Sequence, residues 1–72
     1  MKFIPANQII IGKGAQVAWA SDGVDISQFG KITDTAPVDP DGYTFDGMVE
    51  VTWEDGETEI LDRSDLVLVV RN

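Results

Sequence analysis

Apolar and polar residues alternate most regularly over residues 49–61, and this stretch predicts a β-hairpin. Val49, Val51 and Trp53 fall on one face of the first strand, which is the two-residue period of a half-buried strand. Asp55-Gly56 then supplies a tight turn, because glycine adopts a positive φ without steric cost. The second strand runs over about residues 57–61 and buries Ile60 or Leu61.

Shorter apolar stretches on either side predict further strands. The sequence AQVAWA, residues 15–20, alternates in the same way. Residues 29–33 read as a strand in which Gly30 marks a bulge or a tight bend. The closing sequence LVLVV, residues 66–70, is typical of a strand buried on both faces. Residues 62–65, which precede it, have the composition of a single 3₁₀ turn.

The chain is predicted to be one all-β domain, a small barrel or rolled sheet of four to six short strands with one long loop. No stretch has a helical period long enough to matter. Within residues 1–72 we expect an N-terminal arm over 1–12, the barrel over 14–70 and a long acidic loop over 34–48. The arm either covers an open end of the core or pairs with a second chain. Residues 9–11 within it are a short strand or an extended lead-in.

The absence of two residue types from the sequence restricts the catalytic and metal-binding chemistry that the chain can perform. The chain has no cysteine and no histidine, which removes disulfides, thiolate metal sites and the commonest general base. Asp39, Asp41 and Glu50 match three ligand positions of an EF-hand loop. Tyr43 and Thr44 depart from that pattern, and no helices flank it. We therefore predict no enzyme, no catalytic residue, no metal site and no cofactor.

The charge is strongly negative and concentrated in one part of the chain. The net charge is −8, and residues 34–65 carry acids throughout with Arg63 as their single base. Phosphate backbones would be repelled, so direct nucleic-acid binding is not expected. The acids either form a solvated face that keeps the protein soluble or attract a basic protein or peptide. No apolar run is long enough to span a membrane and no signal segment is evident, which predicts a cytoplasmic protein without membrane contact.

Three segments together resemble an SH3-like barrel, and more narrowly a Tudor-type domain. They are VAWASDG, residues 17–23; GKI, residues 30–32; and VEVTWEDGETEILDRSDL, residues 49–66. The resemblance covers roughly residues 14–70 and is a pattern of small and apolar residues. It implies that the fold is a small SH3-like (Tudor-like) barrel and that the protein is a module that binds a protein or peptide, without catalysis.

In Tudor-type domains an aromatic cage holds a methylated lysine or arginine through cation–π attraction. The resemblance places Trp19 and Trp53 at two cage positions, with Glu54 or Asp55 at the acidic rim. Gln28 and either Glu57 or Glu59 occupy positions where the family has aromatics. The long loop offers substitutes for the missing walls, so the predicted binding residues are Trp19, Trp53, Tyr43, Phe45, Glu54 and Asp55. The alternative is that both tryptophans are core residues, since they share strand faces with valines.

Two alternatives of other classes remain open. The acids of residues 34–65 would suit an inhibitor that imitates nucleic acid towards a basic protein, as in phage or mobile-element products. VDPDGYTF, residues 38–45, also resembles a stretch of plasmid-type (type II) dihydrofolate reductases, which are tetrameric barrels that bind small molecules. Of their catalytic segment only Ile60 is retained, which argues against that activity. The N-terminal arm or an edge strand would be the surface for any homo-oligomer.

Overall fold

Six β-strands and two 3₁₀ turns make up the regular structure of residues 1–71, the part of the chain that this computed structural model describes. These residues contain no α-helix, and the all-β prediction is confirmed. None of their helical segments is long and apolar enough to cross a membrane. The elements are β1 (Lys2–Pro5), a 3₁₀ turn (Ala6–Gln8), β2 (Gln16–Trp19), β3 (Asp25–Asp34), β4 (Met48–Trp53), β5 (Thr58–Asp62), a second 3₁₀ turn (Arg63–Asp65) and β6 (Leu66–Val70).

All six strands belong to one antiparallel sheet in the order β1-β6-β2-β3-β4-β5. The last strand therefore lies between the first two, and β1 and β5 are the two edges. This arrangement is consistent with a small β-barrel-like fold. The second 3₁₀ turn, just before β6, occurs where the sequence predicts it and is capped by Asp62, whose Oδ1 accepts a hydrogen bond from the Ser64 amide at 2.9 Å.

The core forms because the apolar residues of neighbouring strands share one face of the sheet, called here the core face. Its buried members come from β2, β3, β4 and β6 and include Val17, Ile32, Val49, Val51 and Leu66. A smaller cluster of Ala18, Val67 and Val69 lies on the opposite face. β6 contributes alternately to both clusters, so the prediction of a strand buried on both faces is confirmed.

The predicted hairpin is confirmed, with one correction to its turn. Val49 pairs with Leu61, and Leu61 packs against the core. The Gly56 amide donates to the Trp53 carbonyl at 2.9 Å, so Glu54 and Asp55 occupy the centre of the turn. Gly56 follows them with φ of 91°. The turn thus starts one residue earlier than predicted, because the hairpin uses a three-residue loop with a glycine bulge.

The N-terminal arm is joined to the barrel. β1 pairs with β6 of the same chain, from Lys2 opposite Val70 to Pro5 opposite Val67. The strand alternative for residues 9–11 is wrong, since no strand forms there: Ile11 is buried in the core while Ile10 is fully exposed. The last residue of the predicted domain, Asn72, lies outside the described residues.

β3 is longer than predicted and Gly30 has a different role. The strand begins at Asp25 rather than at Phe29, because the register between β2 and β3 shifts between Ala18 and Trp19. The irregularity in the pairing of β2 with β3 therefore does not occur at Gly30, which pairs regularly with Val17. Gly30 is buried and faces the Trp53 ring, as described below.

Candidate binding cleft

An open cleft of about 290 Å³ lies at one end of the sheet. β2 and β4 end there, while β3 and β5 begin there. Because neighbouring antiparallel strands run in opposite directions, these four termini meet at the same end. Among residues 1–71 no lysine or arginine lines this cleft, and its lining consists of two tryptophans, one amide and four carboxylates: Trp19, Asp25, Gln28, Trp53, Asp55, Glu57 and Glu59.

Trp19 forms one wall of the cleft from the last position of β2. It pairs with Asp25 on one side and with Leu66 on the other. Its side chain is half-buried and packs against the core. Trp19 therefore both packs against the core and lines the cleft.

Trp53 forms a second wall of the cleft and is more deeply buried in the core than Trp19. Its side chain is only 8% exposed. It lies opposite Gly30 of β3, where a Cβ atom would stand 2.8 Å from Trp53 Cε3 and 2.6 Å from Val51 Cγ1. Since real Cβ contacts do not become that short, the missing side chain of Gly30 is what allows the indole to lie against the sheet.

We expect Gly30→Ala to destabilise the fold by about 1–3 kcal/mol through overpacking beneath the Trp53 ring. Urea unfolding followed by tryptophan fluorescence measures this change. Gly12→Ala is the matched control, because a Cβ at Gly12 would meet nothing within 4 Å. Equal midpoints for the two variants would contradict this role of Gly30.

Two carboxylates reach the cleft from positions that usually carry core residues. Glu59 pairs with buried Val51 across β4 and β5, and side chains of directly paired residues lie on the same face of a sheet. Glu57, two residues earlier, shares that face, and its carbonyl accepts the Trp53 amide at 2.7 Å. The core face of β5 is therefore acidic at the end of the strand that lies at the cleft and apolar at Leu61, near its other end.

Asp25 is held in its ionised form. Its Oδ1 accepts the Ser27 hydroxyl at 2.6 Å and the Ser27 amide at 2.9 Å. The hydroxyl contact first, and the amide contact second, lower the pKa of Asp25 from its ordinary value. Both bonds stabilise the charged form, so this cleft carboxylate keeps its negative charge further into the acid range than a free aspartate does.

We expect Ser27→Ala to raise the pKa of Asp25 towards its ordinary value, because the larger of the two contacts is lost. Carboxyl NMR titration measures it. The lowered pKa of Asp62 is due to Ser64 and should not move. Since the folded pKa of Asp25 is depressed, its contribution to stability is present above the ordinary pKa and is lost as pH falls through the lowered one. An unchanged Asp25 midpoint in the variant would contradict this assignment.

Glu54, a predicted rim residue, lies outside the cleft. Its Oε1 accepts the Phe29 amide at 2.7 Å, and its own amide donates to the Phe29 carbonyl at 3.1 Å. These bonds tie the hairpin turn to β3. The side chain lines a neighbouring groove together with Phe29. Glu54 thus positions the hairpin, while its neighbour Asp55 lines the cleft.

Tyr43 and Phe45, also predicted binding residues, do not line the cleft. They belong to the connection between β3 and β4, where no strand forms and a single bridge joins Val38 to Thr44. Tyr43 is 73% exposed and Phe45 is half-buried. The Asp39 carboxylate accepts the amides of Asp41 and Tyr43, each at 2.9 Å, so it organises a turn in this loop.

The prediction did not include four of the cleft residues in its binding set: Asp25, Gln28, Glu57 and Glu59. For the two glutamates a signal exists, since they continue the face of Val51 and Trp53 around the turn. No comparable signal marks Asp25, because the irregular register next to Trp19 brings it there. No group of acidic residues within residues 1–71 is arranged to hold a metal ion.

Comparisons with known protein families, curated proteins and solved structures find no match to this chain.

Proposed function

We propose that this protein is a non-enzymatic interaction module of SH3-like or Tudor-like type, and that its cleft receives a basic side chain of a partner protein or peptide. The observation that carries the proposal is that two tryptophans and four carboxylates converge on one open cleft lined by no basic residue of the described chain. The strand order and the 3₁₀ turn before β6 support the SH3-like part of the proposal.

The chemistry of the walls suits a long cationic side chain. Indole faces attract cations and also pack against the methylene stem of lysine or arginine. Carboxylates accept charge-assisted hydrogen bonds from an ammonium or guanidinium group. Glu57 or Glu59 occupies the place of a further aromatic wall, so we expect the cleft to favour a cation that still carries N–H donors over a fully methylated one.

A second candidate is the acidic mimic of nucleic acid, which the charge of residues 34–65 favours. The two candidates differ in where the charge acts. Cleft recognition depends on a few carboxylates at one end of the sheet, whereas mimicry depends on the summed field of many acids, including those of the loop between β3 and β4.

The charge-reversal pair Glu57→Lys/Glu59→Lys tests the proposal against matched Asp41→Lys/Asp46→Lys, which changes the net charge equally in the loop. Asp41 and Asp46 are exposed and do not line the cleft. Calorimetry with a lysine-rich peptide should show at least a tenfold loss of affinity for the cleft pair and a much smaller loss for the loop pair. Equal losses would favour the mimic, and no binding by the parent protein would refute the cleft proposal.

A further inference from the structure

The outer edge of β5 is open. β5 is the last strand of the sheet and pairs only with β4 among the described residues. Two hydrogen bonds fix which of its backbone groups face β4. The Trp53 amide donates to the Glu57 carbonyl at 2.7 Å, and the Arg63 amide donates to the Gly47 carbonyl at 3.1 Å. Both pairs continue the register in which β4 and β5 are aligned.

Because bonded and non-bonded pairs alternate in an antiparallel ladder, the backbone groups of Thr58 and Ile60 point away from β4. Within residues 1–71 neither residue makes a backbone hydrogen bond to another segment. These groups are a template on which an extended chain can add a strand.

The side chains beside this edge select the partner. Exposed edges are commonly protected by lysine, proline or inward-pointing charge. β1, the other edge, contains Lys2 and Pro5, whereas β5 contains neither residue type. β5 instead uses the third device, inward-pointing charge, because Glu59, with Glu57 just before it, lies on the core face. A second copy of this chain pairing through β5 would bring like charges together, which is destabilising.

We propose that the edge of β5 pairs with an extended peptide carrying lysine or arginine at two positions separated by one residue. This proposal rests on the proposed function of the cleft and names the form of its partner. Alternate side chains of a strand share a face, so basic residues opposite Glu57 and Glu59 both face the cleft. Directly opposite Cβ atoms lie about 4.5–5.5 Å apart, close enough for ion pairing. The backbone bonds to Thr58 and Ile60 fix the register.

The test uses two synthetic peptides of equal composition, one with three lysines at alternate positions and one with the lysines in a block. Affinity by calorimetry should favour the alternating peptide at least fivefold. N-methylation of one alternating set of backbone amides should weaken binding at least fivefold, and N-methylation of the other set should not. Equal affinities for the two lysine patterns, or equal effects of the two N-methylated sets, would overturn the strand pairing.

Amide hydrogen exchange supplies the readout on the protein. Thr58 and Ile60 should become protected at least tenfold when the alternating peptide binds, while Glu59 and Leu61, which already bond to β4, should change little. Peptide binding without protection of Thr58 and Ile60 would overturn the pairing yet leave the cleft proposal standing. If protection of the Thr58 and Ile60 amides increased with protein concentration in the absence of peptide, the edge would pair with a second copy of the chain. That result would overturn the proposal that the edge binds a basic peptide. Failure of every basic peptide to bind would remove both proposals.

Discussion

Trp53→Ala is expected to leave a large fraction of the protein unfolded in the absence of denaturant. Truncating a buried tryptophan costs about 3–5 kcal/mol, because transfer free energy is lost and a cavity remains. A chain of 72 residues has about 4–11 kcal/mol of stability at typical values per residue, and small domains lie near the lower end. Trp53 also lies against Gly30, which has no side chain that could fill the space left by the indole.

Urea unfolding followed by circular dichroism measures the effect of Trp53→Ala. Tyr43→Ala is the aromatic control, because Tyr43 is 73% exposed and its loss should change stability by about 0.5 kcal/mol or less. A Trp53→Ala protein as stable as the Tyr43→Ala control would contradict the position of Trp53 in the core.

Trp19→Ala is expected to remove most peptide affinity while the protein stays folded. Trp19 is half-buried and lines the cleft. Tryptophans at the centre of an interface commonly contribute 2 kcal/mol or more, which corresponds to a loss of about 30-fold or more. Trp19→Phe should recover part of this affinity, because an aromatic face for the cation is retained.

Phe45→Ala is the matched control for Trp19→Ala. Phe45 is also a half-buried aromatic residue, but it does not line the cleft. We expect its loss to lower stability to some degree and to leave affinity unchanged when measured by calorimetry on the folded fraction. If Phe45→Ala lost affinity while Trp19→Ala kept it, the binding surface would lie in the loop between β3 and β4 and not in the cleft.

The parts of the fold that depend on nearby residues could be predicted from the sequence. The hairpin of β4 and β5 follows from the alternation at Val49, Val51 and Trp53, because the partner strand is only a turn away. The two faces of β6 follow from its unbroken apolar run. By contrast, the pairing of Lys2–Pro5 with β6 joins opposite ends of the chain, and no local pattern encodes it.

The candidate site could be predicted only in part, for the same reason. Trp19, Trp53 and Asp55, three of the six predicted binding residues, line the cleft. Tyr43 and Phe45 lie in an irregular loop whose course depends on its own turns, so their aromatic character did not indicate their position. Asp25 reaches the cleft through a register shift beside Trp19. Such a shift changes which side chains share a face of the sheet, and the amino-acid composition of the strand does not reveal it.

The most direct test of the cleft is an NMR titration of the isotope-labelled protein with a lysine-rich peptide. We expect the indole N–H signals of Trp19 and Trp53 and the amide signals of residues 55–59 to shift together with one dissociation constant. We also expect the signals of residues 35–47 to stay in place. Shifts centred on residues 35–47, or no shift of either indole signal at saturating peptide, would contradict the assignment of the cleft as the binding site.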